Sequence, residues 1–299
     1  MIAKPCKELT APLLKLVTED CRPTEGRYGV NALNGAPRVE QLKRRHWDEI
    51  EYDPMERLWM VMGKLLHSQL EGRADVNALA EERIKVSIGG RDVVGVVDHY
   101  ADETITDYKF VSTWASNDGV KPEWEAQLNC YAYLLRACGF PVTKLQIQAV
   151  YRDWSQKKAD TDKGYPPRAE VMKVKLWDPA KVLDHLEKRV ALHVANETKP
   201  DGELTPCTDA ERWARPGKFA LMKEGNKKAV KLYDTREEAA TAMAGVQAGL
   251  HYIQERPTEY ARCTRCEVKA WCNQVMEGKS LDEQLKARSE EHTSELQSH

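Results

Sequence analysis

The chain has 299 residues, of which 41% are hydrophobic and 31% charged, and a formal net charge of -2. That balance excludes a disordered chain and predicts a globular one, with one large domain or two small ones. No apolar run approaches the ~20 residues of a membrane span, and MIAKPCKELT has no signal-peptide pattern, so a cytoplasmic protein is expected.

Residues 1–27 are weakly patterned, and Cys6 and Cys21 there read as free thiols. Residues 28–50 predict a strand or turn and then a short helix, because Asn34-Gly35 signals a turn and Pro37 suits a first helical position. Lys43, Arg44 and Arg45 form a basic knot, either solvated surface or a contact to DNA phosphates. Residues 53–71 predict a helix with Asp53 as N-cap, Pro54 at N1, and Leu58, Met62, Leu65 and Leu66 at helical spacing. Gly63 and His67 share one face of it. Strands over 80–88 and 91–100 form a hairpin across Gly89-Gly90.

A third strand is predicted over 103–111, and a polar turn then leads to a helix over 123–138. Trp114 and Trp124 pack or stack around that turn, while Cys130 and Cys138 read as small core residues on the helix. A strand over 143–152 follows. Residues 153–167 form a charged loop, where Lys157, Lys158 and Lys163 are candidate phosphate contacts. A strand over 169–176 and a helix over 179–196 come next. Farther on, 218–222 and 227–233 flank Gly225-Asn226 as a hairpin, with a helix over 234–249 capped by Asp234 or Thr235. This β-β-α unit reads as an insertion. The last twelve residues, RSEEHTSELQSH, read as the in-frame translation of a sequencing-library adapter. They are set apart from the fold, and without their one Arg and three Glu the balance is near zero. Any DNA affinity must then come from local basic patches.

The stretch from Gly95 to Tyr131 carries the chemistry. Asp98 closes an apolar strand. Asp107 and Lys109 lie two apart, on one face of the next strand. Gln127 and Tyr131 lie four apart, on one face of the following helix. Two carboxylates can hold Mg²⁺ or Mn²⁺ while leaving positions for phosphate oxygens. The ion lowers the pKa of a bound water and clamps an in-line displacement at phosphorus. Lys109 beside it can orient that water or offset charge on the phosphate. His67 reads either as a histidine against the core or as a metal ligand. Glu82 lies on the first strand of the hairpin and reads as a solvent-facing glutamate, as does Glu81.

The ordered set G-x-x-D, D-x-K, Q-x-x-x-Y, with an upstream G-x-x-x-H, resembles the catalytic core of the PD-(D/E)XK nuclease superfamily in its RecB-type branch. The resemblance covers roughly residues 28–152. It implies an α/β, restriction-endonuclease-like fold, with an α-β-β-β-α-β mixed sheet flanked by helices. It also implies a Mg²⁺- or Mn²⁺-dependent deoxyribonuclease, with exonuclease favoured over endonuclease. The implied work is recombination, repair or phage DNA processing in a bacterial or phage-infected cell. His67, Asp98 and Asp107 would be its metal ligands, helped by the carbonyl after Asp107, and Lys109, Gln127 and Tyr131 would complete its catalytic set. The resemblance further implies an acid on the first hairpin strand that assists the metal site, with Glu82 the candidate and Glu81 competing. No G-x-x-x-x-G-K-[ST] occurs in the chain, so unwinding or annealing would come from a partner such as a helicase, recombinase or annealing protein. The alternative is a non-catalytic, zinc-stapled nucleic-acid-binding module, or a degenerate nuclease subunit.

Eight cysteines are many for a reducing compartment, so clustered ones read as metal ligands. Cys263, Cys266 and Cys272 form C-x-x-C-x-x-x-x-x-C, and with Cys207 there are four thiolates, suited to Zn²⁺ or an iron–sulfur cluster. The spacing after such a core resembles the iron–sulfur subset of these nucleases, CRISPR-associated and AddB-type members included, which implies a [4Fe–4S] cluster. Many of those carry the first cysteine before the core, where this chain has Ala36-Pro37-Arg38. Cys207 is therefore expected to take its place, with Cys21 the competitor. The expected organisation is an N-terminal extension (1–27), the nuclease core (28–200), the inserted unit (201–256), the cysteine segment (257–287) and the adapter-like tail (288–299).

Overall fold

Two tight turns set the register of the central sheet in the computed structural model, which describes residues 1–275 apart from 20, 21, 74, 76, 117, 118, 247 and 248. Cys21 and the tail 288–299 thus lie outside the described residues. The sheet contains β1 (Arg27–Gly29), β2 (Leu79–Ile88), β3 (Arg91–Ala101), β4 (Thr104–Val111), β5 (Lys144–Tyr151) and β6 (Ala169–Val174). Gly89 and Gly90 join β2 to β3 with φ of +56° and +74°, the signs a two-residue hairpin loop of type I′ needs. Asp102 and Glu103 join β3 to β4, also with positive φ.

The pairings are mixed. β2–β3, β3–β4 and β5–β6 run antiparallel, whereas β1–β3 and β4–β5 run parallel. Along one edge, β3 pairs with β2 over nearly its whole length. Along the other it pairs first with β1, at Asp92 to Val94, and then with β4, at His99 to Ala101. Between those two ladders the edge of β3 opens, and Asp98 stands at the opening.

Five helices flank the sheet: α1 (Val30–Asn34), α2 (Pro37–Arg45), α3 (Leu58–Glu71), α4 (Pro122–Ala137) and α5 (Pro179–Glu197). Leu33, Ile105, Leu128, Leu134, Leu135, Ile147 and Leu186 are fully buried between helices and sheet. Each such side chain contributes about 1.5–3 kcal/mol. Cys130 is buried among them, and burial pushes its thiol up to about 12. Cys138 is exposed at the C-cap of α4, so only one of the two helix cysteines is core. The arrangement is the α-β-β-β-α-β core of a restriction-endonuclease-like fold.

Asp53 caps as predicted, accepting the Met55 N–H at 2.9 Å, but Pro54–Arg57 turns as a 3-10 helix before α3 begins. The apolar face expected on α3 is not the buried one. Val61 is its buried residue, and Met62 and Leu65 are exposed. The loop expected at 153–167 contains a short helix, Gln156–Thr161.

The chain divides after Thr205 into two compact units. The second carries β7 (Lys218–Lys223), β8 (Lys231–Tyr233), α6 (Arg236–Ala244) and β9 (His251–Arg256). Thr235 and Glu238 form a reciprocal capping box that starts α6, and Gly245 ends it. β9 extends the expected β-β-α unit, pairing antiparallel with β7 in the order β8-β7-β9.

Candidate active site

Antiparallel register lines up three carboxylates. The β2–β3 ladder pairs Ala80 with His99 and Glu82 with Val97, so Glu81 stands across from Asp98. The β3–β4 ladder pairs His99 with Thr106, and one more step brings Asp98 opposite Asp107. Glu81, Asp98 and Asp107 therefore form one row across three strands, where the β3–β4 ladder opens. The Tyr108 N–H, unpaired by that opening, donates to Asp98 Oδ2 at 2.8 Å. The motif aspartate thus replaces a missing ladder bond and is fixed by it.

Glu81 adopts φ +50°, a left-handed conformation that costs a residue with a Cβ roughly 1–2 kcal/mol. His67, on α3, completes the group. Its Nε2 lies 3.1 Å from the Tyr108 carbonyl, which can only accept, so Nε2 carries the proton. Its Nδ1 then faces Glu81 Oε1 at 3.0 Å and Asp98 Oδ1 at 3.6 Å. A ring lone pair aimed at two carboxylates is repulsive unless a proton or a metal cation lies between them. Among the described residues, His67, Glu81 and Asp98 are the one group of three or more such side chains whose ligand atoms all lie within 4.8 Å of each other. Glu82 is exposed and outside this group, so the strand brings Glu81 to His67 instead.

Asp107 is 2% exposed. Its Oδ1 accepts from Lys109 Nζ at 3.0 Å. Oδ2 is 2.7 Å from the same nitrogen but off its hydrogen-bonding direction, and has no hydrogen-bond partner. Burial pushes the Asp107 carboxyl up to about 6, opposed by Lys109 and reinforced by Asp98. Burial likewise raises Asp98, against the pull of His67 and the Tyr108 N–H. Three carboxylates in a row, two half-buried and one buried with an oxygen that accepts no hydrogen bond, fit a cation-binding site.

A hydrogen-bonded chain leads from Lys109 to the helix. Lys109 Nζ donates to Gln127 Oε1 at 3.3 Å, and Gln127 Nε2 donates to the Tyr131 hydroxyl at 2.9 Å. The Tyr131 ring lies against β3 at Gly95. A Cβ built there would come within 2.8 Å of the ring and 3.0 Å of Leu134. The glycine of G-x-x-D is needed because the tyrosine of Q-x-x-x-Y occupies the space of its side chain. Beside the site a cleft of about 670 Å³ opens between α3 and β4, lined by Met60, Lys64, His67, Glu81, Lys109 and Val111.

The basic knot is a correction to the sequence reading. The Arg44 guanidinium binds Glu40 at 2.7 Å and the carbonyls of Thr24 and Arg27, both at 2.8 Å. Arg45 binds Asp201 at 2.6 Å and the carbonyls of Asn196 and Glu197, both at 3.1 Å, at the C-terminus of α5. Their donors are taken up within the fold; at Arg45 the free carbonyls of a helix end attract the guanidinium. Lys43 lies 5.5 Å from the buried Trp47 ring. Lys157 and Lys158 are exposed on the short helix.

In the second unit, Cys263 starts a 3-10 turn, Cys263–Arg265, that ends at Cys266, and Cys272 follows the turn Lys269–Trp271. Burial raises the Cys266 thiol, and Cys272 and Cys263 add to the rise. Gln274 ties Cys207 in with two hydrogen bonds, its Oε1 accepting the Cys207 N–H and its Nε2 donating to the Cys207 carbonyl, each at 2.8 Å. These sulfurs are not gathered as tightly as the His67 group.

A sequence model of the PD-(D/E)XK nuclease superfamily matches residues 30–273. A solved structure described as "Crystal structure of SSO0001" is similar over 60% of this chain and 84% of its own, at 19% identity and a TM-score of 0.42. No curated protein matches the chain.

Proposed function

The chain belongs to the PD-(D/E)XK nuclease superfamily, and on that premise we propose that it is a Mg²⁺- or Mn²⁺-dependent deoxyribonuclease. The observation that carries this reading is the row of half-buried Glu81 and Asp98 and buried Asp107, with His67 at one end and Lys109 at the other. A divalent cation in that row would lower the pKa of an attacking water and withdraw charge from the scissile phosphate. The imidazole favours Mn²⁺ over the more strictly oxygen-seeking Mg²⁺.

The chain's own side chains do the rest. His67 holds its Nδ1 lone pair toward the cation position, because the Tyr108 carbonyl fixes the proton on Nε2. Lys109 keeps one donor on Asp107 and one on Gln127, which leaves the third to orient a water or meet a phosphate oxygen. Gln127 is itself oriented by Tyr131, and Tyr131 by its seat on Gly95. The RecB-type motif set supports an exonuclease of recombination, repair or phage DNA processing, working beside a helicase, recombinase or annealing protein. For Cys207, Cys263, Cys266 and Cys272 the same resemblance supports a [4Fe–4S] cluster, with Zn²⁺ the alternative ion. The cluster's task would be structural, holding the cysteine turns and the Cys207 segment together.

The test is anaerobic purification, then incubation with end-labelled linear DNA and Mg²⁺ or Mn²⁺, beside Lys109→Ala and Asp98→Ala. Metal-dependent strand cleavage that both substitutions abolish is expected. Binding of DNA without cleavage in either metal would overturn the enzyme reading in favour of a binding module. Iron content and the visible spectrum of the same preparation separate the cluster from zinc.

A further inference from the structure

We propose that an unpaired DNA end leaves the active site along a track of exposed aromatic rings and unneutralised cations, and stacks a base on Trp114. The inference rests on the nuclease reading for the identity of the strand, and it adds the substrate class: single-stranded DNA, or the frayed end of a duplex.

The track begins in the cleft beside Lys109 and follows β4 to its end at Val111. There the Arg152 N–H donates to the Val111 carbonyl at 2.9 Å, and the Arg152 guanidinium lies 4.8 Å from the ring centre of Trp59, a residue of α3 that is 54% exposed. Two residues beyond Val111, Thr113 opens a second concavity of about 510 Å³, walled by Trp114, Tyr165 and Pro166. From Lys109 to the end of β4 at Val111 the strand covers roughly 7 Å, and Thr113 stands two residues farther on, within reach of a few unpaired nucleotides.

Trp114 is 68% exposed, the largest value among the exposed large hydrophobic side chains. Its neighbours are paired ring to cation. Lys121 lies 5.2 Å from the Trp114 ring, Lys158 5.7 Å from Tyr165, and Arg168 4.4 Å from Trp154. Among the described residues none of Lys121, Arg152, Lys158 and Arg168 forms an ion pair, unlike Arg44 and Arg45. The carboxylates in the second wall are turned to their own neighbours: Asp162 accepts the Gly164 N–H at 2.9 Å, and Glu170 accepts the Tyr151 hydroxyl.

Exposed Trp59 and Trp114, with half-buried Trp154 and Tyr165 and cations that form no ion pair among the described residues, suit a single strand. Phosphates meet the cations, and every unpaired base offers a face for stacking. In a duplex those faces are already stacked and hidden, except at the terminal pair.

The measurement is binding by fluorescence anisotropy in EDTA, so that no strand is cut, with the full chain and labelled single-stranded or blunt duplex oligonucleotides of one sequence. Trp114→Ala is expected to weaken single-strand binding by roughly 10-fold or more, the effect of losing one base–aromatic stack. Duplex binding should change little, and Trp114→Phe should restore most of the loss. Trp59→Ala provides a second, independent variant and is expected to act in the same direction. Unchanged single-strand affinity in both alanine variants, or an equal loss on duplex, would overturn the track. If no metal supports cleavage and Trp114→Ala still loses single-strand binding, the nuclease reading falls and the track stands. If DNA is cleaved while both alanine variants bind like the parent chain, the track falls and the nuclease stands.

Discussion

The two donor sets of this protein are built in opposite ways. His67, Glu81, Asp98 and Asp107 come from one helix and three strands, and the sheet register holds them in place. Cys263, Cys266 and Cys272 lie within ten residues on short 3-10 turns, with Cys207 tied in through Gln274. The first set is pre-organised by a hydrogen-bonded sheet, so the fold pays the repulsion among its carboxylates, and a bound cation would relieve it. The second consists of local turns with little regular structure of their own, so a bound cluster or ion would have to organise it. On the proposed reading, a cation at the first set would act on a folded frame, whereas an ion at the second would form part of the frame.

Perturbing the pre-organised set should abolish chemistry and spare the fold. Lys109→Ala and Asp98→Ala are each expected to lower kcat by about 10³-fold or more, with circular dichroism unchanged. Gly95→Ala tests the same set from a distance. The new methyl must displace Tyr131, and through Gln127 it should misalign Lys109, for a loss of roughly 10- to 100-fold in kcat with KM little altered. An active Gly95→Ala enzyme would mean that the ring can shift without moving the lysine.

Perturbing the local set should do the reverse. Cys266→Ser is expected to strip iron or zinc from the purified protein and lower Tm by several degrees. Metal analysis and calorimetry on one preparation check this. Retention of the ion with an unchanged Tm would remove Cys266 from the set.

Two smaller effects mark groups that resemble the sites and serve the fold. His193 is fully buried on α5, where burial and the Arg189 charge hold its pKa down at about 4, against an ordinary 6.5. The unfolded chain takes up this proton near 6.5 and the folded chain only near 4. This contribution to stability is therefore complete above pH 6.5 and is lost as pH falls toward 4, amounting to about 3 kcal/mol. Urea midpoints at pH 7 and pH 5 for the parent and His193→Gln measure it, and the variant should show the shallower pH dependence. Arg45→Ala should cost about 1–2 kcal/mol, because it strips the α5 C-terminus of its donors. DNA affinity should stay the same.

The motif residues were legible early because each lies at a short, fixed interval within one element: Asp107 and Lys109 two apart on a strand, Gln127 and Tyr131 four apart on a helix. Glu81 could also have been found. The two-residue turn at Gly89-Gly90 fixes which β2 residue faces Asp98, and counting back from it reaches 81 and not 82. Its left-handed backbone could not have been found, since nothing local favours it. The basic knot misled for a related reason. A run of Lys and Arg reads the same whether the donors face water or the carbonyls of a helix packed more than 150 residues away. On α3, spacing gave the helix but not its buried face: Val61 is buried while Met62 and Leu65 are exposed.

By itself, then, the sequence determined the order of elements, the hairpin register and the chemical types of the donors, because these depend on side-chain period and turn geometry over a few residues. Only the tertiary structure decided which carboxylate joins His67, which cations are spent internally and which rings stay bare. Those outcomes depend on which distant atoms arrive at each side chain, and no local interval encodes that.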